Sequence, residues 1–246
     1  MTHPPMRSGD TIAIPGDYQY RATYHGYIPQ RFWHQTRFQM SLEMLAIEPG
    51  MRLLDIGCGS GVFAGRAAQN PSVHVVGIDA NPLAIEFAKQ QFPHSNLEFH
   101  VGLLNDLDFP NQSFDRISLL EVIEHIYEHQ ALELLHTAAR LLRPGGRLVI
   151  STPNAQSAWP MVEWALDRLK LVAHMSGEQH VKLYSPARLR AICEVSGVRF
   201  LDSRTLFIAS PAIALLSWDV ACWFTTLEKH TNCGSLLFQA YEGPQG

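Results

Sequence analysis

Cysteine is scarce, which excludes a disulfide scaffold and a thiolate metal centre. The 246-residue chain has four cysteines, Cys58, Cys193, Cys222 and Cys233, with no CxxC pair and no Cys/His spacing suited to zinc. Such isolated thiols fit a reducing cytoplasm. Basic charge is also limited. Against 23 Asp and Glu stand 19 Lys and Arg, a formal net charge of -4, and no basic cluster interrupts the chain, so a nucleic-acid partner is not expected. The opening MTHPPMRSGDTIAIPGDYQY carries Pro, Gly and charge where a secretory leader needs an apolar run, and secretion is not expected either. TLFIASPAIALLSW, between Arg204 and Asp219, is apolar and uncharged, but it falls short of the roughly 20 residues of a membrane span, and Pro211 interrupts it. It is expected to lie in an apolar helix at about 206–229, fitting either a homodimer interface or peripheral contact with a lipid-soluble acceptor. Repeats and low-complexity tracts are lacking as well.

What is present is patterning. With 46% hydrophobic residues the chain can bury one large α/β core. PQRFWHQTRFQMSLEML, residues 29–45, sets Phe32, Thr36, Met40 and Met44 on one helical stripe, so residues 1–45 read as an arm and a cap helix. From 51 to 154 strand and helix signals alternate: MRLLDIG, SGVFAGRAAQ, VHVVGID, PLAIEFAKQQ, LEFHVGL, FDRISLLEV, HQALELLHTAARLL and GRLVISTPN. Helix signals punctuate them, Asn81-Pro82 opening one and Pro144-Gly145-Gly146 ending another. An insert at about 155–185 follows. Next come the helix SPARLRAICEVSG, capped by Ser185, the strand RFLDSRTL, the apolar segment and a last strand GSLLFQAYE. The sum is an α/β, doubly wound, Rossmann-like and mostly parallel seven-stranded sheet, with helices on both faces and a helical cap.

LLDIGCGSG, residues 53–61, runs the first strand straight into Gly57, Gly59 and Gly61. Glycine there admits positive φ and lets a ligand reach the backbone, and the helix beyond offers unpaired N–H groups. Asp79 ends the second strand about 20 residues on, where a carboxylate can take both hydroxyls of a ribose. A nucleoside is the favoured ligand class, either a pyridine dinucleotide or S-adenosylmethionine. A GxGxxG fingerprint requires glycine at position 62, where this chain has Val62.

LLDIGCGSG, VVGIDANPLAIEFAKQQ, SFDRISLLEVIEHI and LLRPGGRLVISTPN together resemble the successive motifs of class I S-adenosylmethionine-dependent methyltransferases. The EVIEHI and STPN segments are most similar to the ubiquinone-biosynthesis O-methyltransferase-like, small-molecule branch. The resemblance covers about residues 50–205. It implies that Asp55, Gly57, Cys58, Gly59 and Gly61 surround the methionine part of the cofactor, that Asp79 holds the ribose, and that Ala80 and Asn81 lie beside the adenine. Where the family has a Gly-Asp pair after the third strand, this chain has Gly102-Leu103. Leu103 and the backbone of Leu104 then take the adenine position, or Asn105 or Asp106 reaches in. Glu121 is expected either at the cofactor's amino-acid end or as a helix cap.

Methyl transfer to a hydroxyl also needs a base. His125 in EVIEHI is the first candidate and His180 the second. Each stands against an ordinary structural histidine. Glu121, Glu124 and His125 form an ExxEH cluster, but neighbours in a helix do not share a face, so no metal is assigned. The acceptor, a small molecule, is expected against Trp33, Arg37 and Trp159, with Trp164 assigned to core packing. Tyr18, Tyr20, Tyr24 and Tyr27 crowd the arm as a candidate lid. The rival readings are an NAD(P)-dependent oxidoreductase and a non-catalytic nucleoside-binding relative.

Overall fold

The computed structural model describes residues 15–158 and 181–244. Seven strands form one sheet: β1 Arg52–Ile56, β2 His74–Asp79, β3 Leu97–Val101, β4 Phe114–Leu120, β5 Leu142–Pro153, β6 Arg199–Leu206 and β7 Leu236–Glu242. Their order is β3-β2-β1-β4-β5-β7-β6, and only β7 runs antiparallel to its neighbours. Successive side chains of a strand point to opposite faces, so apolar runs feed two cores. Leu53, Val75 and Val149 enter one; Leu54, Val76, Leu148 and Ile150 enter the other. Helices α1 Tyr18–Tyr24, α2 Ile28–Leu45, α3 Val62–Ala67, α4 Pro82–Gln91, α5 Glu128–Leu141 and α6 Pro186–Val195 accompany the sheet. Two start as the sequence indicated: the Asn81 side chain accepts from the N–H of Leu83 (3.0 Å), and that of Ser185 from Arg188 (3.3 Å). Strand β5 begins earlier than GRLVISTPN, pairing through Leu142 with Phe114 across a register shift.

The strand order reverses between β1 and β4, which by topology is where such a sheet has its ligand crevice, beyond the carboxyl ends. Helix α2 packs against β4 and β5. At its far end Ala46 takes a left-handed conformation (φ 47°), its carbonyl accepting from Arg116 Nη2 (3.0 Å), while Met44 O accepts from Arg147 Nη1 (2.6 Å). These arginines, from β4 and β5, satisfy carbonyls that a helix end leaves open and fix which residues of α2 face the sheet.

The apolar helix expected at about 206–229 is interrupted. Leu206 ends β6, a short helix α7 covers Ser210–Ile213, and α8 covers Trp218–Glu228. The break has a polar cause. Buried Glu228 accepts from the N–H groups of Phe207 (3.2 Å), Ile208 (3.0 Å), Ala209 (2.6 Å) and Ser210 (3.0 Å), and from Ser210 Oγ (2.5 Å). Phe207 is held there at φ 69°, which a bulky residue rarely adopts. Ser217 then caps α8, its side chain accepting from Val220 N–H (3.4 Å). In urea denaturation, Glu228→Ala should lower stability by about 3 kcal/mol, because five donors, three of them in buried bonds, lose their shared carboxylate acceptor. A loss below about 0.5 kcal/mol would show that the segment does not depend on this carboxylate.

Candidate active site

At the end of β1 the chain turns through Gly57, Gly59 and Gly61, at φ 70°, 52° and 77°. The turn is joined to β2, with the N–H groups of Gly57 and Cys58 both donating to Ile78 O (2.8 and 2.9 Å). At Gly61 a Cβ would stand 2.7 Å from Ala88 Cβ and Phe99 Cζ, so both conformation and space require glycine. Asp79 closes the turn from the side, Oδ2 accepting from Gly59 N–H and Oδ1 from Asn81 N–H, each at 2.8 Å. Each oxygen keeps acceptor capacity for a ligand hydroxyl. Cys58 is buried in the apolar cluster, and burial pushes its thiol well up, which leaves it unreactive.

Beside the turn, charged groups are buried together. Asp55 accepts from Ser118 Oγ of β4 through Oδ1 (2.7 Å), while its Oδ2 is buried without a partner. Burial raises its carboxyl to about 7; the Ser118 bond opposes this, nearby Asp79 adds to it and Arg37 opposes it. Glu121 follows β4 at φ 58°, a costly conformation for Glu. It caps no helix; Ser151 Oγ of β5 donates to it at 2.9 Å. Glu124, fully buried, accepts from Thr152 Oγ1 (3.0 Å). Burial raises both glutamates, Glu124 further because Glu121 lies near.

The cation among them is Arg37, delivered by α2. Desolvation lowers its pKa, against the opposing pull of Glu121, Glu124, Tyr18 and Asp55, and its Nε is buried without an acceptor. His34, one turn away, is also buried with Nδ1 unpartnered; burial and then Arg37 push it well down, so it is neutral at physiological pH. His125 is on a tight turn after β4, Ile123–His125, with Nε2 3.8 Å from Glu124 Oε1. The insert returns to this point, Val181 and Lys182 N–H both donating to Glu124 O (2.8 and 3.1 Å). Among the described residues no group of three or more His, Cys, Asp or Glu is placed to hold a metal.

Other candidates are distributed differently. Trp33 stacks on Phe207 (4.1 Å), filling the joint between α2 and the segment after β6. Leu103 is half exposed beyond β3, Leu104 is buried and Ala80 is exposed. Asn105 accepts from Thr137 (2.8 Å), and Asp106 accepts from Leu103 N–H (3.4 Å), so both side chains are engaged locally. In the arm, Tyr20 and Tyr24 pack together (4.9 Å), and Tyr20 reaches Phe87 (5.3 Å), whereas Tyr18 and Tyr27 are exposed. The arm lies on the glycine turn. Tyr20 N–H donates to Ser60 Oγ (2.9 Å), and the Gln19 side chain lies 3.4 Å from where a Gly59 Cβ would be, its Oε1 buried and unpartnered. His180, Trp159 and Trp164 lie outside the described residues. The sequence reading missed Gln19, Ser118, Ser151 and Thr152. The last three had a signal, hydroxyls inside otherwise apolar strands.

Comparison with known proteins decides the family. The profile described as a methyltransferase domain matches residues 30–202. The chain belongs to the methyltransferase family. Its cofactor is S-adenosylmethionine. The methyltransferase is 29% identical over 157 residues to the ubiquinone biosynthesis O-methyltransferase of Aeromonas salmonicida, matching 62% of this chain and 65% of that protein. It is 35% identical over 124 residues to phosphoethanolamine N-methyltransferase 1 of Arabidopsis thaliana, 47% of this chain and 25% of that one. Both matched stretches are thus less than two thirds of those relatives. In fold it is similar to an S-adenosylmethionine-dependent methyltransferase of Archaeoglobus fulgidus, with TM-score 0.63, 19% identity, and 92% and 98% of the two chains covered.

The residues present fit this cofactor. A zwitterionic amino-acid end suits an unpartnered guanidinium nitrogen beside an unpartnered carboxylate oxygen, and a ribose suits Asp79. Asp55 also makes stability depend on pH. Its folded value near 7 lies above the unfolded 3.8, so the folded state holds the extra proton and this contribution is lost as pH rises from about 4 to about 7. Urea titrations across that range should show a steeper decline for the wild type than for Asp55→Asn. Parallel curves would contradict the assignment.

Proposed function

We propose that this methyltransferase transfers a methyl group to an oxygen of a small-molecule acceptor, in the cytoplasm. The observation that carries the reading is the buried Arg37 guanidinium, unpartnered at Nε, between the carboxylates that end β1 and follow β4. Arg37, expected from sequence on the acceptor side, is assigned here to the carboxylate of the cofactor's amino-acid end. Asp55 faces the ammonium, and Glu121 supplies the outer wall. Gly57, Gly59 and Gly61 admit close approach, Cys58 supports the turn from below, and Asp79 takes the ribose. Ala80, Leu103 and Leu104 border the adenine. Among the described residues no helix is long and apolar enough to cross a membrane.

S-adenosylmethionine, when bound, supplies an electrophilic methyl on a sulfonium sulfur. The chain's own work is alignment and proton removal. Alignment comes from the glycine turn and the buried charges, held by strands and therefore rigid. Proton removal falls to His125, one third exposed at the crevice beside Glu124, which can accept a hydroxyl proton as the oxygen attacks. Trp33 is assigned to the acceptor side, as are Trp159 and His180 on their sequence positions alone.

The test is a panel of phenols, aliphatic alcohols and amines with labelled cofactor. Hydroxyl methylation is expected, with kcat about 100-fold lower in His125→Gln and unchanged affinity for S-adenosylhomocysteine. Arg37→Met should weaken that affinity at least about tenfold, for loss of a charged hydrogen bond. Turnover confined to amines, unaffected by His125→Gln, would overturn the oxygen reading.

A further inference from the structure

The surface of α8 is unusual for a helix facing water. Between Asp219 and Glu228 it has no charged residue, and Val220, Trp223 and Leu227 are 50%, 61% and 50% exposed. Their i, i+3, i+7 spacing makes one stripe. Ile208, Leu215 and Leu216 are also exposed, Leu216 at 91%. The opposite side of α8 is packed, Trp218 standing edge-on to Phe32 of α2 (5.0 Å) and Ala221 being fully buried. The stripe is therefore a second apolar face, on a segment already anchored to the cap helix. An exposed patch of this kind marks an interaction site.

We propose that this face binds a second copy of the chain, α8 against α8 in antiparallel orientation about a two-fold axis. The pattern is self-complementary. With the axis between Trp223 and Phe224, Val220 of one copy meets Leu227 of the other, and the two Trp223 side chains pack across the centre. The polar ends agree as well. Asp219, in the first turn of one helix, comes to the far end of its partner, where the exposed imidazole of His230 can donate a hydrogen bond to it, and symmetry makes this pair twice. A lipid surface is the poorer occupant, because interfacial helices rely on Lys and Arg, and none occurs from Thr205 to Glu228. The proposal is independent of which acceptor is methylated.

Cys222 is exposed on the same helix, about 100° around it from Trp223, and antiparallel packing brings the two copies of it to roughly 15 Å. The experiment uses the full chain carrying Cys233→Ser, which removes the other exposed thiol. Multi-angle light scattering from 1 to 100 µM should report a dimer, and a bis-maleimide with a flexible spacer of roughly 15 Å should join it through Cys222. Trp223→Glu and Leu227→Glu, both at exposed positions, should give folded monomers by unfolding midpoint and at least a tenfold loss of crosslinking. A monomer at all concentrations would overturn the proposal. So would a dimer that survives Trp223→Glu, which locates the interface elsewhere, or co-flotation of the monomer with phosphatidylcholine vesicles, which makes the face a lipid contact.

Discussion

Arg37 carries a full charge into the interior, and the arrangement of the crevice depends on how that charge is tolerated. Removing a guanidinium from water costs several kcal/mol, and attraction to nearby carboxylates offsets this only if the groups are held close. Asp55, Glu121 and Glu124 supply that attraction from the ends of neighbouring strands, yet they are themselves pushed toward the neutral form by burial. Hydroxyls from Ser118, Ser151 and Thr152 satisfy one oxygen of each, while Asp55 Oδ2 and Arg37 Nε stay unmatched. Unmet buried polar groups are expensive unless something completes them. A ligand with both an anionic and a cationic group is the economical completion. The cofactor of this family has both at its amino-acid end.

The rigid parts follow from this requirement. Helix α2 holds Arg37 in place because Arg116 and Arg147 fix its last turn to the sheet. The segment after β6 supports the other end of α2 through Trp33 on Phe207 and Phe32 on Trp218, and Glu228 holds that segment in its strained path. Function at the crevice thus rests on contacts well outside it.

Much of this was legible in the chain. Strands announced themselves through alternating apolar residues, and the glycine turn, Asp79 and the Asn81 and Ser185 caps are local signals that act within a few residues. The broken helix at 206–229 was not legible, because its cause, Glu228, bonds residues 18 to 21 positions away. Neither were the neighbours of Arg37. The stripe read on α2, Phe32, Thr36, Met40 and Met44, does not include Arg37, and which carboxylates Arg37 meets depends on the phase of α2 against β1 and β4, set by long-range contacts. Glu121 read equally well as a helix cap, since a positive φ at a glutamate has no sequence signature. The stacking of Trp33 on Phe207 was not legible either, because the two residues are far apart in the chain.

The most direct test of the central claim, that buried charges await a zwitterionic partner, is proton exchange on cofactor binding. Titration of the protein with S-adenosylhomocysteine by calorimetry at pH 7, in two buffers of different ionisation enthalpy, measures it. Burial raises the Asp55 carboxyl to about 7, and a facing ammonium group favours its charged form. The predicted result is net release of protons on binding, abolished in Asp55→Asn. Tight binding with no proton released would contradict the account.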